Sequence, residues 1–522
     1  MFSRRFTLPI LLGLNFLIKF WVAVRPLKII DGHTIPDDAY LCLTIARNIA
    51  RGLGPLYGFD FTNGFQPLYV FLMTPAFWLF PGDHVAPVHA ALIVGVIFDT
   101  ASLYLLYKLV ADQSRLQLTP ILISLAWILS FSIIRTTLNG METAISMFFI
   151  VLAYYYYMKF RDDLTDVANR WRGFVPGIIL GLAMLARIDN IFLAAILVLA
   201  IFIIGGRRPG GFTHSAQTVL AVILGMGLVY LPWIIYQYYY TGSIIPSSGA
   251  AVRHLALAAY GGKFSATSFF ILMGRMGLAA VVKDNNPIII LIAALFIGLI
   301  AIRRRGAFLL MMEQLRRHNI ILAFSISLFL AYIFYIFGFW YFRRYLYPVT
   351  FLLLLYLATA IDIFFLSLMN KSKVRISSIV IAAFLVMALL LSPTAKIIYW
   401  DKETEPIGYM DLGLWGRSNF ADSTVVGGCQ TGALGYFADN LKIVNLDGVV
   451  NKRCYDALVQ KRTMAYIKDA GIEYFIDWRD FHDFIVNHSE NYSDDDMRLL
   501  HTIKEFRTGH NEWYVYQVKG RR

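Results

Sequence analysis

The chain has 522 residues, 58% of them hydrophobic and only 16% charged, with a formal net charge of +13. Soluble domains carry closer to a quarter charged residues, so this composition excludes an ordinary globular protein and points to a chain solvated largely by lipid. The positive balance is no sign of a nucleic-acid partner, because most Lys and Arg lie in short loops between apolar segments, where they report topology.

A bilayer core of about 30 Å takes roughly 17–25 apolar residues per helix. Segments of about this kind are predicted at 8–24, 88–110, 119–135, 144–158, 174–188, 190–204, 216–238, 286–302, 319–337, 349–368 and 377–393, giving eleven crossings. The first follows an Arg pair and lacks a small-residue cleavage site, which reads as a retained helix and not a signal peptide. Eleven crossings place all six basic loops (4–5, 108–115, 159–172, 207–208, 303–317 and 371–375) on the cytoplasmic side with the N-terminus. The stretch 67–80 is short, begins and ends near prolines, and is expected not to cross.

This topology gathers the out-of-place polar residues on the outer side. The first outer loop, 25–87, carries Asp31, Asp37, Asp38, Asn63 and Gln66, and the second carries Arg135, Asn139 and Glu142. Arg187, Asp189 and Asn190 fall at the tip of a tight helix pair, Arg253, His254 and Lys263 in a long outer loop, and Arg343 and Arg344 in "FWYFRRYLYP". Basic residues on that side break the positive-inside bias and mark a retained purpose. After Pro393 the character changes. "STVVGGCQTGALGYF", "LKIVNLDGVVN", "IEYFIDW" and "EWYVYQV" read as strand-bearing runs and "KRCYDALVQKRTMAYIKDAG" as helical, defining an α/β domain at 394–522 outside the membrane. Three cysteines do not make a disulfide scaffold, and Cys429 and Cys454 are open to being bonded or free.

In "IPDDAYLCLTIARNIARG", Pro36 sets a helix start, Asp37 suits the N-cap, and Thr44, Arg47, Asn48 and Arg51 form one polar face, as in a helix lying in the interface. The acid pair is open to a structural reading, as cap and helix-dipole partner, and to a functional one, as a general base or as a pair holding an acceptor hydroxyl or a divalent cation. "RTTLNGMET" places Glu142 just outside the next helix, open to a capping role, and in "LARIDN" Arg187 and Asp189 suit either a structural ion pair or a site. The two guanidinium groups of "FWYFRRYLYP" suit either headgroup snorkelling or phosphate recognition. "GGCQTGALGYF" matches neither nucleotide-binding glycine pattern and receives no such role.

Together these motifs resemble the polytopic GT-C glycosyltransferases. "DDAYLCLTIARNIARGLGPLYG" followed by "TNGFQPLY" is similar to the first-loop pattern of bacterial cell-wall arabinofuranosyltransferases and their relatives, departing at Gln66 and Tyr69. "LNGMET", "LARIDN" and "YFRRYLYP" are similar to later elements of that group and occur in the same order. The resemblance implies a GT-C-like α-helical polytopic membrane domain, 1–393, with an extracytoplasmic α/β domain, in a bacterial inner membrane. It implies sugar transfer from a polyprenyl-phosphate donor to a cell-envelope glycan or lipid, with inversion. By the same resemblance Asp37 is the base and Asp38 orients the acceptor or shares a cation. Arg187, Arg344 and Arg343 then hold the donor phosphate, and Glu142, Asp189, Asn63 and Gln66 line the cavity. The sugar, the acceptor and the oligomeric state stay unassigned. A transporter or lipid-linked-sugar flippase is the competing class, which predicts repeated halves and midplane acids, whereas these acids gather at one face.

Overall fold

The structure, a computed structural model, describes residues 4–31, 33–164, 170–207, 211–259, 265–271, 305–336, 342–367, 408–508 and 511–520. Among the described residues, seven helices are long and apolar enough to cross a membrane, or eight if a bent pair counts as one. They are Phe6–Ala23, Ala86–Gln113, Thr143–Asp163, Ile188–Gly206, Gly211–Thr241, Phe308–Ile336 and Pro348–Leu366. The segment predicted at 119–135 is instead two helices, Thr119–Leu129 and Phe131–Thr137, bent by 59°. Ser130 adopts an extended backbone at the break and caps the second helix through Ile133 N. The segment predicted at 174–188 ends at Ala186, and Pro67–Leu79 is a short apolar helix of 13 residues. The segments predicted at 286–302 and 377–393, and the boundary at Pro393, lie outside the described residues.

A polar knot missed by the sequence reading joins three of these elements. Asp99, mid-helix in Ala86–Gln113, accepts hydrogen bonds from Asn15 Nδ2 at 2.8 Å and Trp127 Nε1 at 3.1 Å, and pairs with Lys19. The Thr137 hydroxyl lies 2.9 Å from Asp99 Oδ1, the oxygen that also accepts from Trp127. Lys19 is fully buried and Asp99 nearly so. Buried charges persist in lipid only when paired and hydrogen-bonded, and here both oxygens of the carboxylate accept hydrogen bonds. The knot ties the first helix to the bent pair, whose end leads directly to Glu142.

Strands β1 (Leu56–Tyr57) and β2 (Asp60–Phe61) pair antiparallel, and β3 (Val425–Gly428), β4 (Lys442–Asn445), β5 (Tyr474–Asp477), β6 (Met497–Thr508) and β7 (Asn511–Val518) form the mixed sheet of the C-terminal domain in the order β4-β3-β5-β7-β6. β3 runs parallel to β4 and β5, while β7 is antiparallel to β5 and to β6. The four runs predicted as strand-bearing hold β3, β4, β5 and β7. β6 was missed because "MRLLHTIKEFRT" alternates weakly and sits at the sheet edge. The run predicted as helical after β4 forms two helices, Lys452–Val459 and Thr463–Asp469, separated near Lys461, whose φ is +55°. Cys429 and Cys454 are buried free thiols. The domain does not stand apart from the bundle: Ala433, Tyr436, Phe437 and Val450 belong to the same apolar core as the membrane helices.

Removing one partner of a buried ion pair typically costs about 3–5 kcal/mol because the other charge is stranded. Asp99→Leu alone is therefore expected to lower the thermal midpoint of the detergent-solubilised protein sharply. Lys19→Met combined with Asp99→Leu should recover most of that loss; a double variant worse than the single would contradict the knot as drawn.

Candidate active site

The helix Asp37–Ala50 begins after Pro36, whose extended backbone serves as the N-cap with no side-chain bond. Asp37 is thus the first helical residue and not the cap of its own helix, a correction to the sequence reading. The helix is also not a half-exposed interfacial one, since Asp37 and every residue from Ala39 to Arg47 are buried. Its polar face meets the C-terminal domain, a partner that periodicity within one segment cannot reveal.

The two acids are split by this helix. Asp37 turns to the C-terminal domain, its carboxylate accepting from Gly432 N at 2.7 Å and Ala433 N at 2.8 Å. Asp38 turns to a cavity of about 320 Å³ between the bundle and that domain. There Asp38 pairs with Arg344 Nη1 at 2.9 Å, with about a third of its side chain exposed. Arg344 Nη1 also lies 2.8 Å from Met141 Sδ.

Arg187 lies beside this pair and is heavily committed. Its guanidinium donates to Glu142 Oε1 at 2.6 Å, to Asp189 Oδ2 at 2.8 Å and to the Tyr332 hydroxyl at 3.1 Å. Tyr332 also donates to Asp189. Both guanidinium groups lie over the Tyr345 ring, at 4.8 Å for Arg187 and 5.2 Å for Arg344, and Tyr345 stacks on Tyr332 with centroids 4.4 Å apart. Flat aromatic faces favour cations and hold planar guanidinium groups in place. The "LARIDN" pair is therefore an ion pair that also walls the cavity.

Gln66 and Asp189 line the cavity; Glu142 sits behind Arg187 with no solvent exposure. Asn63 is not in the lining. Its side chain is used by the 243–247 turn, donating to Ile245 O at 3.2 Å and accepting from Ser247 N at 3.2 Å. The side chain of Arg343 lies outside the described residues. The sequence reading missed Tyr332, Tyr345 and Cys42, although Tyr345 directly follows the Arg pair. It also missed Val449, which brings the C-terminal domain into the cavity wall and whose carbonyl accepts from Ser247 Oγ at 2.8 Å. Most of the remaining lining is apolar, including Phe65, Trp233 and Ile191, as suits a lipid-bearing substrate.

Among the described residues, no group of three His, Cys, Asp or Glu is placed to hold a metal ion. Because both Asp37 oxygens are engaged by backbone N–H groups, the acid pair presents one carboxylate to the cavity, not two. A cation held jointly by Asp37 and Asp38 does not fit this arrangement.

No family model matches the sequence, and no curated protein matches it. The fold, however, has close counterparts among solved structures. The archaeal oligosaccharyltransferase AglB from Archaeoglobus fulgidus, in complex with an inhibitory peptide and a dolichol-phosphate, aligns with a TM-score of 0.58 and 12% identity over 96% of this chain and 73% of that one. The A. fulgidus enzyme in complex with Zn and sulfate gives 0.57 at 13% identity, over 97% and 72%. ArnT from Cupriavidus metallidurans bound to undecaprenyl phosphate gives 0.57 at 12% identity, over 98% and 97%. The chain is a polytopic membrane protein that shares the fold of these structures, the GT-C fold.

Burial pushes the carboxyls of Asp37 and Asp447 up to about 7 and that of Asp477 to about 8, against the pull of the backbone N–H groups each accepts. An acid raised on folding holds its proton in the native state at a pH where the unfolded chain has lost it. Its contribution is intact below about pH 4 and lost as pH rises through about 7 to 8. The thermal midpoint of the detergent-solubilised protein should therefore be higher at pH 5.5 than at pH 8.5. Asp477→Asn should shrink that difference, and a midpoint rising with pH across this window would contradict the assignment.

Proposed function

We propose that this protein is an integral membrane glycosyltransferase that moves a sugar from a polyprenyl-phosphate donor to a hydroxyl of a cell-envelope glycan or lipid on the extracytoplasmic face of the bacterial inner membrane. The observation that carries the reading is the Asp38–Arg344 pair at the head of a large apolar cavity: a carboxylate base and a phosphate-binding guanidinium in contact. The GT-C fold, shared with structures that hold dolichol-phosphate and undecaprenyl phosphate, supports it. The net basic loops on the opposite side support an outward-facing site.

In this reading Arg344 receives the donor phosphate. Each charged hydrogen bond to it contributes about 1.5–3 kcal/mol. The phosphate draws Arg344 from Asp38 and frees that carboxylate. The acceptor oxygen then attacks the anomeric carbon, its proton passes to Asp38, and the carbon–oxygen bond to phosphate breaks with its electron pair retained by the polyprenyl phosphate. A single displacement inverts the anomeric centre. Arg187, already neutralised by Glu142 and Asp189, shapes the wall and holds Tyr332 in place beside Arg344. Asp38 replaces Asp37 as the base in this assignment, because Asp37 does not face the cavity.

General-base catalysis is worth about 10²–10⁴-fold. Asp38→Asn should lower sugar transfer by that range in a panel of polyprenyl-phosphate pentoses and hexoses, with the thermal midpoint retained. Arg344→Gln should raise the Kd for undecaprenyl phosphate by about 10-fold or more, the equivalent of one charged hydrogen bond. Wild-type turnover in Asp38→Asn would sink the assignment.

A further inference from the structure

The first-loop helix grips both ends of one short helix of the C-terminal domain, Gly432–Phe437. Asp37 takes the N–H groups of Gly432 and Ala433 at its start. Ten residues on, Arg47 donates from Nη1 to Tyr436 O at 2.7 Å and from Nη2 to Gly435 O at 2.8 Å at its end. An acceptor at the free N–H groups of the N-terminus and a donor at the free C=O groups of the C-terminus share one polarity, so the two contacts cannot be satisfied in the reverse orientation. Tyr57 adds a third tie, its hydroxyl donating to Thr431 O at 2.7 Å. The approach is close enough that a Cβ at position 432 would lie 2.0 Å from Asp37 O, so only glycine fits there.

Further contacts continue the same seam. The Arg47 guanidinium lies 5.2 Å from the Tyr436 ring centroid, and Tyr40 packs on Phe437 at 5.2 Å. Asp31 repeats the device one helix earlier, accepting from Met410 N at 2.7 Å at the start of Tyr409–Asn419 and from the Tyr40 hydroxyl at 2.6 Å. Asp37 and Arg47 both bracket Asp38 on its helix, yet neither is in the cavity lining. The same domain places Val449 in that lining.

We propose that Asp37 and Arg47 are positioning residues that lock the C-terminal domain onto the helix carrying Asp38, and that this docking is required for transfer. The proposal rests on the assignment of Asp38 as base. It separates the adjacent acids by role: one performs proton transfer, the other holds a second domain in register with it. Since the donor's phosphate contacts are on the bundle side, loss of the clamp should lower turnover while leaving donor affinity intact.

The test uses the full chain in nanodiscs, with Asp37→Asn, Arg47→Gln, their double variant, and Gly432→Ala, which blocks the close approach without touching either charge. Hydrogen exchange of the amides at 432–437 is measured beside turnover, the pH profile of kcat and affinity for undecaprenyl phosphate. Each variant should raise exchange at 432–437 at least tenfold and lower kcat about tenfold or more, with undecaprenyl phosphate affinity within twofold of wild type. The acid limb of the kcat profile should persist in Asp37→Asn, and the double variant should be no worse than the poorer single. Unchanged exchange in all three single variants would overturn the clamp. Raised exchange with wild-type kcat would overturn the positioning role. Loss of the acid limb in Asp37→Asn would make Asp37 the base and overturn the division of labour. If the wild-type protein transfers no sugar, the transfer reading falls and the positioning role with it, while exchange alone still decides whether the clamp exists.

Discussion

The contact on which the rest of the arrangement depends is the seating of a C-terminal-domain helix on the first-loop helix through backbone groups. Asp37 and Arg47 address peptide N–H and C=O groups, not side chains, so the contact fixes axial position and direction together. Buried helix ends need partners for their unsatisfied N–H and C=O groups, and a short helix of six residues has few bonds of its own to spare. The bundle supplies those partners, and in return its core extends into the domain through Tyr436 and Phe437.

Electrostatics within the cavity follow from that geometry. Three carboxylates and two guanidinium groups are interleaved so that no like charges are in direct contact: Asp38 with Arg344, and Glu142 and Asp189 with Arg187. The Tyr345 ring lies under both guanidinium groups, 4.8 Å from that of Arg187 and 5.2 Å from that of Arg344. Arg187 has its donors engaged by protein acceptors, whereas Arg344 is the cation whose partner, Asp38, is itself partly exposed. An incoming anion thus competes for Arg344 at much lower cost than for Arg187, because breaking a buried, multiply bonded pair strands more charge. The polar residues deep in the bundle serve the site at one remove, with Asp99 holding the end of the bent helix from which the Glu142 loop departs.

Much of the site was legible from residue type and spacing. Acids and arginines that an apolar helix should not tolerate marked one end of the bundle, and Asp38, Arg187, Asp189 and Arg344 do converge there. What spacing could not distinguish was Asp37 from Asp38. Adjacent helical residues point about 100° apart, so the direction of each depends on what lies on either side of the helix, and one of those neighbours is almost 400 residues away. The same distance in sequence hid the purpose of "GGCQTGALGYF", whose Gly432 serves a close helix approach and not a phosphate. The Lys19–Asp99 pair was hidden because its two charges lie 80 residues apart on different helices.

The sequence by itself determined the solvent this chain lives in, the run of apolar helices, the change to an α/β domain after them, and which side of the bundle collects its misplaced charges. These are local properties: length, hydropathy, turn residues and charge asymmetry act within a few dozen residues. Only the tertiary structure decided which acid faces the cavity, that Arg187 is held by Glu142 and Asp189, and that the C-terminal domain completes the wall. Those outcomes are set by hydrogen bonds and packing between segments far apart in the chain, where direction and distance matter and no sequence period carries the information.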